Sequence, residues 1–291
     1  MGEAIPTGVK RRPLLDAFAP RADLFHGLNQ RLPQRLRSPA VVTFHDLFVI
    51  TAEYSTPEFR RRFEEQARHA AARAERIICV SRFTANQVRD LLRVEESRLD
   101  VIHHGVRFPP ASETCRERII LSVGALQHRK NTARLIEAFE STPPGWRLVL
   151  AGSQGFGAAE ILEKAARSRR ASDIELPGWI GDRELASFYS RASIFAFPSL
   201  DEGFGIPILE AMAHGLPVVT SNVSAMPEVA GDAAWLVDPT DAAQIAAALR
   251  TLAEDEGLRT SLSAKGRARA AGFTWEKAVE ATRAVYSRVI G

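Results

Sequence analysis

Residues 197–212 read FPSLDEGFGIPILEAM, and this stretch decides how the chain can fold. A buried strand is predicted over 193–197, and it is followed by a loop that contains two glycines. Pro207 stands where a helix predicted over 207–213 would begin, a position for which the fixed φ of proline is suited. The stretch therefore predicts a strand, a glycine-rich turn and a helix in direct succession.

The same turn predicts a binding site for a phosphate or diphosphate. Free N–H groups of the loop and of the first helical turn would point at one spot, with the positive end of the helix dipole behind them. Gly203 and Gly205 permit a close backbone approach, and ligands bind at the carboxyl ends of parallel strands. The flanking Glu202 and Glu210 would accept hydrogen bonds from sugar or ribose hydroxyls. The alternative is an ordinary glycine turn with a glutamate in the helix.

Short β-branched runs alternate with amphipathic helical patterns through most of the chain, which predicts an α/β fold with doubly wound parallel sheets. Residues 108–113 lack periodicity, contain two prolines and are the predicted linker. We therefore predict a first Rossmann-like lobe at 1–112, a second at 113–274 and a C-terminal segment at 275–291. The predicted strands are 40–44, 76–80, 99–103, 118–123, 147–151, 173–176, 193–197, 217–221 and 234–237, and the predicted helices are 57–74, 82–92, 131–141, 157–169, 182–191, 207–213, 241–254, 257–271 and 275–289.

The first lobe carries only three of these strands, whereas a full doubly wound domain usually has five or six. The 112 residues of this lobe begin with a lead-in over 6–39 that is rich in Pro and Arg. We expect either a reduced lobe or a lobe whose first βαβ portion is missing from this chain.

Composition excludes several classes of protein. The 291 residues are 45% hydrophobic and 25% charged, as in an ordinary globular protein and unlike a disordered or collagenous chain. No apolar run approaches the ~20 residues that cross a bilayer, and no apolar signal core opens the chain, so we expect a cytoplasmic protein. Cys79 and Cys115 have no neighbours at metal-ligand spacing, which argues against a zinc site and a disulfide scaffold.

Charge is distributed unevenly along the chain. Residues 1–112 hold 18 Lys and Arg against 13 Asp and Glu, a net of +5, whereas residues 113–291 hold 20 against 22, a net of −2. The basic runs at 10–12 and 60–62 predict a peripheral contact with an anionic inner membrane face or with a phosphate-bearing acceptor. A solvated basic surface is the alternative. Nucleic acid is not expected, because no aromatic residues interleave with the basic ones and no recognition motif is present.

A second candidate site follows the strand predicted over 118–123. Its loop ends in Arg129 and Lys130, which could neutralise a leaving diphosphate, although a solvated pair is the simpler alternative. Asn131 follows as a predicted helix cap. In the first lobe, His45 closes a strand and could hydrogen-bond a substrate hydroxyl, or pair with its neighbour as an ordinary loop residue. Residues 103–105 are interpreted as a turn and hinge.

Other enzyme classes lack their motifs. Residues 152–157 follow a strand but have the order G-x-x-G-x-G, not the dinucleotide fingerprint G-x-G-x-x-G. The sequence contains no G-x-S-x-G elbow, no Walker A loop and no H-E-x-x-H helix. Dehydrogenase, hydrolase, P-loop NTPase and zincin functions are therefore disfavoured.

Together, these segments resemble the retaining glycosyltransferases of family 4, which have the two-domain GT-B fold. The resemblance begins near residue 22 and extends to the end of the chain, and its ordered combination of motifs is highly specific. One departure is Ala125, where relatives often have Arg. The matching stretches are 42–47, 78–84, 104–106, 122–124, 129–131, 176–180, 202–210, 215–219 and 227–229.

The resemblance implies a nucleotide sugar bound by the second lobe and an acceptor bound by the first. Arg129 and Lys130 match the basic pair on the diphosphate, and Glu202 matches the glutamate near the donor sugar. Glu210 matches the residue that holds the ribose hydroxyls, and His45 matches a cleft histidine that contacts the sugar. The last helix is expected to cross back to the first lobe. The other implied donor-binding residues are Gly124, Trp179, Ile180, Gly203, Phe204, Gly205 and Ile206, with Trp179 and Ile180 where the family seats the base.

The implied reaction moves a hexose from a nucleotide-diphospho-sugar, GDP-mannose or a UDP-sugar, to a glycan or lipid-linked acceptor. The resemblance implies no metal and no resident cofactor. A non-catalytic, nucleotide-sugar-binding remnant with an incomplete acceptor lobe remains the alternative, and a nucleotide-sugar epimerase is a weaker one, because the first lobe offers few acid or base residues.

Overall fold

The computed structural model describes residues 22–109 and 115–291, and these form two parallel sheets, as the sequence predicts. The smaller sheet has the strand order β1-β2-β3-β4, and the larger one has the order β10-β9-β8-β5-β6-β7. The predicted linker falls largely at 110–113, outside the described residues, as does the basic run at 10–12. The strands are β1 (Phe25–Gly27), β2 (Ala40–Phe44), β3 (Arg76–Cys79), β4 (Leu99–Val101), β5 (Ile119–Val123), β6 (Arg147–Ala151), β7 (Ile174–Gly178), β8 (Ile194–Phe197), β9 (Val218–Ser221) and β10 (Trp235–Val237).

The first lobe has four strands in its described part, so the expectation of three was wrong. The additional strand, β1, is the three-residue segment Phe-His-Gly, which pairs in parallel with β2. It has neither a β-branched run nor an alternating pattern, and these are the signals that identify strands in a sequence. Three helices follow β2 and β3: α1 (Phe48–Thr51), α2 (Pro57–Arg73) and α3 (Arg82–Leu92).

Side-chain caps start the two longer helices of this lobe. Thr56 accepts a hydrogen bond from the N–H of Phe59 at the start of α2, and Ser81 accepts one from Thr84 at the start of α3. Such caps satisfy N–H groups that a helix leaves without partners in its first turn. The basic run at 60–62 lies on α2.

The second lobe has the strand order of a complete doubly wound domain. The direction of winding reverses between β5 and β8, and ligands bind at the carboxyl ends of the strands at such a reversal. Its core helix α7 begins at Ile206, so Pro207 takes the second helical position and not the first as predicted. The helices are α4 (Thr132–Phe139), α5 (Ala158–Arg167), α6 (Asp182–Arg191), α7 (Ile206–Ala213), α8 (Met226–Ala230), α9 (Ala242–Glu254), α10 (Glu256–Ala270) and α11 (Trp275–Ile290).

The last helix, α11, packs on the sheet of the first lobe. Its Val285 is buried against Val41 and Ile78 of β2 and β3. The hydroxyl of Tyr286 lies 2.6 Å from Nδ1 of His26 in β1. Within the described ranges, no helix combines the length and apolar character that crossing a bilayer requires.

Candidate active site

An ion-pair cluster joins the two loops at the winding reversal of the second sheet. Oε1 of Glu202 lies 2.5 Å from Nζ of Lys130 and 2.8 Å from a terminal nitrogen of Arg129. The same Arg129 nitrogen donates to the backbone carbonyl of Asp201 at 2.6 Å. Glu202 is only 8% exposed and Arg129 only 9%. The loops after β5 and β8, separated by about seventy residues in the sequence, therefore form one buried charged site.

Aromatic rings and glycine shape the surroundings of the two cations. The Arg129 guanidinium lies 4.1 Å from the ring centre of Phe48, and Lys130 Nζ lies 4.6 Å from that of Phe197, both in cation–π range. Gly124 directly follows β5 with φ +143°, and a Cβ added there would lie 3.1 Å from the Lys130 side chain. A glycine at 124 therefore suits both the backbone turn and the path of the lysine.

The cluster keeps Glu202 ionised. Burial alone would raise the pKa of the Glu202 carboxyl, but the charges of Lys130 and Arg129 outweigh burial and hold its pKa below the usual value. Burial likewise lowers the pKa of Lys130, while Glu202 opposes the shift. The charged forms are thus retained inside the protein because they are paired.

Two further carboxyl groups lie beside the cluster with raised pKa values. Burial raises the pKa of Asp46 to about 6, against the opposing charge of Arg129. Burial also raises the pKa of Asp201 to about 6, and Thr51 Oγ1 donates to its Oδ2 at 3.2 Å. These groups change charge near neutral pH, which is typical of functional sites.

Unsatisfied polar atoms concentrate at this site. Among the described residues, four buried side-chain atoms lack a hydrogen-bond partner, and three of them are Nε of Arg129, Oγ of Ser199 and Oδ1 of Asp201. Buried polar groups are normally paired, so a group of unpaired atoms in one place indicates a binding site whose ligand would pair with them. Together with the two remaining N–H donors of Lys130, these atoms leave the cluster with spare donors and acceptors at the place where the sequence predicts a phosphate site.

The glycine-rich loop lies directly against the first lobe. A Cβ added at Gly203 would overlap the backbone carbonyl of His45, so any larger residue would push the lobes apart. Gly205 has φ +95° and precedes α7 with no side-chain cap, which leaves the start of that helix open. Ile206 is the first helical residue. The side chain of Phe204 is buried at the interlobe contact, 5.2 Å from the His104 ring.

Glu210 is held by a tyrosine from the neighbouring helix. It lies on α7, and the hydroxyl of Tyr189 on α6 donates to its Oε2 at 2.9 Å. Burial raises the pKa of Glu210, and the Tyr189 hydrogen bond opposes that shift. Glu202 and Glu210 therefore differ in environment: the first is held by two cations and the second by a neutral hydroxyl.

The remaining predicted residues follow the ends of two strands, β7 and β2. Trp179 follows the end of β7 and is 79% exposed, while Ile180 packs partly against the core of the second lobe. His45 follows β2, where its Nε2 lies 2.9 Å from the carbonyl oxygen of Leu28 and its ring stacks on that of His104 at 5.3 Å. Burial lowers the pKa of His104 to about 4, so this neighbour of His45 is neutral at pH 7.

Asn131 does not cap α4 as predicted. Its backbone is left-handed, with φ 58°, and its side chain makes no capping hydrogen bond. The Nδ2 group donates instead to the carbonyls of Pro198 at 3.0 Å and Pro239 at 2.7 Å. Asn131 therefore ties the loop after β5 to the loop after β8 and fixes the frame in which Arg129 and Lys130 meet Glu202.

The sequence predicts no role for the residues that connect the lobes, although they fall in the matching stretches 78–84 and 227–229. Ser81 and Thr84 contact the Gly203 carbonyl from the first lobe, and Glu228 contacts the backbone of α3 from the second. Only the spacing of Ser81 before an amphipathic helix carries a local signal, that of an N-cap. Over residues 22–109 and 115–291, no three His, Cys, Asp or Glu side chains are grouped closely enough to hold a metal ion.

Comparison with known proteins identifies the family. Residues 109–269 match the family Glycosyl transferases group 1, and residues 10–108 match Glycosyltransferase Family 4. The chain belongs to the group 1 glycosyl transferases. This glycosyltransferase is 33% identical over 281 residues to O-antigen chain mannosyltransferase B of Escherichia coli, covering 90% of this chain and 74% of the relative. It is 30% identical over 236 residues to the MMP alpha-(1->4)-mannosyltransferase of Mycolicibacterium hassiacum, covering 78% of this chain and 57% of the relative.

Solved structures share the fold of this glycosyltransferase. Sucrose-phosphate synthase from Thermosynechococcus elongatus superposes with a TM-score of 0.80 at 23% identity, over 91% of this chain and 73% of that one. Anabaena HepE in complex with UDP-glucose gives a TM-score of 0.73 at 19% identity, over 87% and 72%. WaaG, a glycosyltransferase involved in lipopolysaccharide biosynthesis, gives 0.70 at 20% identity, over 89% and 77%. The architecture is therefore that of the GT-B glycosyltransferases.

Proposed function

We propose that this glycosyltransferase moves a mannosyl group, with retention of anomeric configuration, from a nucleotide-diphospho-mannose to a glycan or lipid-linked acceptor. The observation that carries the proposal is the cluster of Lys130, Arg129 and Glu202 beside the open start of α7, at the winding reversal of the second sheet. The names of two relatives, both mannosyltransferases, support the choice of sugar, and one is an O-antigen enzyme, which supports a role in polysaccharide or glycolipid biosynthesis.

In this proposal the diphosphate of the donor binds between the two loops. Arg129 and Lys130 supply the side-chain donors, including the buried Nε of Arg129 that has no partner among the described residues. The backbone amides of residues 203–206 supply the rest, at a helix start that carries no side-chain cap. A site made of fixed donors stabilises an anion without reorganising during the reaction.

The two glutamates bind hydroxyl groups in this proposal. Glu210 keeps Oε1 for a ribose hydroxyl while Tyr189 occupies Oε2. Glu202 lies where the mannosyl ring would follow the diphosphate, and its ionised carboxylate accepts from sugar hydroxyls. The exposed Trp179 ring and Ile180 form the platform for the base.

The reaction breaks the bond between the anomeric carbon and the diphosphate oxygen. The acceptor oxygen bonds to the same carbon from the same face, and its proton passes to the departing diphosphate. Arg129 and Lys130 stabilise the charge that grows on the leaving group, and removing one such donor costs on the order of 3 kcal/mol in the barrier. The nucleotide sugar is a co-substrate, and the scheme uses no resident cofactor.

The acceptor binds the first lobe in this proposal, with His45 facing the cleft. Arg61 and Arg62, which are exposed on α2, would bring this lobe to the anionic inner face of a membrane that carries a lipid-linked acceptor. Vesicle flotation tests that contact: binding to anionic vesicles that 0.5 M NaCl abolishes would support it, and equal binding to neutral vesicles would contradict it.

A donor screen tests the proposed function. GDP-mannose, UDP-glucose, UDP-GlcNAc and ADP-glucose are compared by thermal shift and by slow hydrolysis. A raised melting temperature and hydrolysis with GDP-mannose alone would support the proposal. A response to another sugar nucleotide instead would identify that sugar, and not mannose, as the one transferred. Binding without transfer or hydrolysis would favour the non-catalytic remnant, and no response to any of the four would overturn the proposal.

A further inference from the structure

The first turn of α3, in the first lobe, is fastened to the glycine-rich loop of the second. The Ser81 hydroxyl donates to the carbonyl oxygen of Gly203 at 2.6 Å, and Thr84 Oγ1 lies 3.1 Å from the same oxygen. Both side chains are fully buried. Ser81 Oγ also accepts the N–H of Thr84 at 3.0 Å, so one hydroxyl caps the helix and holds the loop at once.

A second group from the other lobe completes the cap of α3. The carboxylate oxygens of Glu228 both lie 2.9 Å from the backbone nitrogen of Arg82, and Oε2 lies 3.3 Å from that of Phe83. These are N–H groups that a helix leaves without partners, and a carboxylate at this end also interacts favourably with the helix dipole. His103 Nε2 lies 2.7 Å from Oε1 of the same carboxylate. Half of the helix cap is thus supplied across the lobe boundary.

Glu228 and the glycine-rich loop are tied together inside the second lobe. The N–H of Glu202 donates to Ser224 Oγ at 3.1 Å, and the N–H of Ala225 donates to the Glu202 carbonyl at 3.3 Å. The Arg269 guanidinium donates to the Glu228 carbonyl at 2.6 Å. Glu228 lies on α8, which directly follows Ser224 and Ala225. A displacement of Glu228 would therefore also displace the loop that carries Glu202.

We infer that Ser81, Thr84 and Glu228, here called the interlobe cap, position the donor-binding loop by holding its backbone from the opposite lobe. The inference rests on the proposed function of that loop. A peptide group is planar and trans, so fixing the direction of the Gly203 carbonyl also fixes the opposite direction of the Phe204 N–H. The first lobe thereby orients the Phe204 N–H, one of the amides that would donate to the donor diphosphate. The loop is therefore held in this orientation only while the two lobes are in contact.

The three cap members are positioning residues, because none of them lies among the groups that would touch the donor. Their loss should therefore weaken donor binding and loosen the lobe contact while leaving Arg129, Lys130 and Glu202 in place. A residue that served only the local stability of α3 would not change the donor affinity.

Ser81→Ala and Glu228→Gln test the inference. Hydrogen–deuterium exchange is measured on the protein without nucleotide, in peptides that cover 82–84 and 202–208, and KM for GDP-mannose is measured in parallel. We expect exchange about tenfold faster in both peptides of each variant, as for loss of a buried hydrogen bond to a charged or capping group. We expect KM to rise about tenfold, with a smaller change in kcat. Glu58→Gln, an exposed glutamate in the first turn of α2, is the matched control and should change neither quantity.

The outcomes separate this inference from the proposed function. Unchanged exchange at 202–208 in variants that fold, or an unchanged KM alongside faster exchange at 82–84 alone, would overturn it. Faster exchange at both peptides in a protein that binds no sugar nucleotide would leave the interlobe contact standing and overturn the donor site itself. If Ser81→Ala does not fold, Ser81→Thr and Glu228→Asp replace it, because the first keeps the hydroxyl and the second keeps the charge. The exchange rates and the KM of both variants should lie between those of the wild type and those of Glu228→Gln.

Discussion

Nζ of Lys130 and Oε1 of Glu202 lie 2.5 Å apart, and this ion pair joins the loop after β5 to the loop after β8. Lys130→Ala removes a donor from the proposed leaving-group site. We expect kcat for transfer from GDP-mannose to fall by about 10²–10³. Arg129 still pairs with Glu202 at 2.8 Å, so the loss of folding stability should stay below about 3 kcal/mol. Initial rates and urea unfolding measure the two effects.

The matched control for Lys130→Ala is Lys164→Ala. Lys164 is exposed on α5 and pairs with Glu137 at 2.9 Å, so its substitution should change rate and stability little. Near-wild-type transfer by a folded Lys130→Ala variant would contradict the role of this lysine in stabilising the leaving group.

Gly203→Ala should prevent the lobes from meeting. The added Cβ would overlap the His45 carbonyl, and backbone atoms cannot move aside as a flexible side chain can. We expect transfer to fall at least about a hundredfold, because a displacement of about 1 Å at a reacting centre can cost that much. Small-angle scattering should show a larger radius of gyration. Gly257→Ala is the control, since a Cβ on that residue of α10 meets only Asp255 Oδ1, at 3.3 Å. A fully active, compact Gly203→Ala enzyme would contradict the close approach.

Tyr189→Phe should weaken nucleotide binding through Glu210. The variant removes the only hydroxyl seen to hold Glu210 Oε2 in the described residues, and the carboxylate is then free to rotate. We expect Kd for GDP, by calorimetry, to rise about three- to tenfold, the equivalent of a hydrogen bond worth roughly 1 kcal/mol. Tyr286→Phe loses a hydroxyl bonded to His26 in the first lobe and should leave Kd unchanged. Equal effects of the two variants would argue that only general stability is involved.

Asp46→Asn should stabilise the protein at high pH only. The folded pKa of Asp46 is raised to about 6 by burial, above its ordinary value of 3.8. An ionised Asp46 therefore destabilises the folded state above pH 6, by at most about 3 kcal/mol, and this penalty disappears as pH falls from 6 to below 4. The melting temperature of Asp46→Asn should exceed that of the wild type at pH 8 and match it at pH 4. A difference that is the same at both pH values would show that Asp46 does not titrate near 6.

The sequence predicted the residues of the charged cluster because each follows a strand with a strong local pattern. Glu202 follows β8 and the basic pair Arg129 and Lys130 follows β5, and parallel strands bring their carboxyl ends to one edge. The polar contacts that join the two lobes beside this cluster were not predictable in the same way. Ser81 reaches Gly203 across 122 positions and His103 reaches Glu228 across 125, and no local periodicity encodes contacts at such separations.

Local patterns also failed where tertiary contacts override them. The three residues of β1 form a strand only because β2 offers a partner, not because of their own propensity. Asn131 has the residue type of a helix cap, yet it bonds the carbonyls of Pro198 and Pro239. In both cases the neighbouring element, and not the segment itself, determines the conformation.

The position of α11 has a consequence for the order of folding. Val285 covers Val41 and Ile78, so one face of the first sheet receives this cover from a helix that follows the whole second lobe in the sequence. During synthesis that face stays without its cover until α11 leaves the ribosome, and a contact of such long sequence separation forms slowly. We expect a nascent chain stopped after α10 to show a protease-sensitive first lobe beside a protected second one. The sixteen residues of α11 thus complete a lobe whose sheet is synthesised before them.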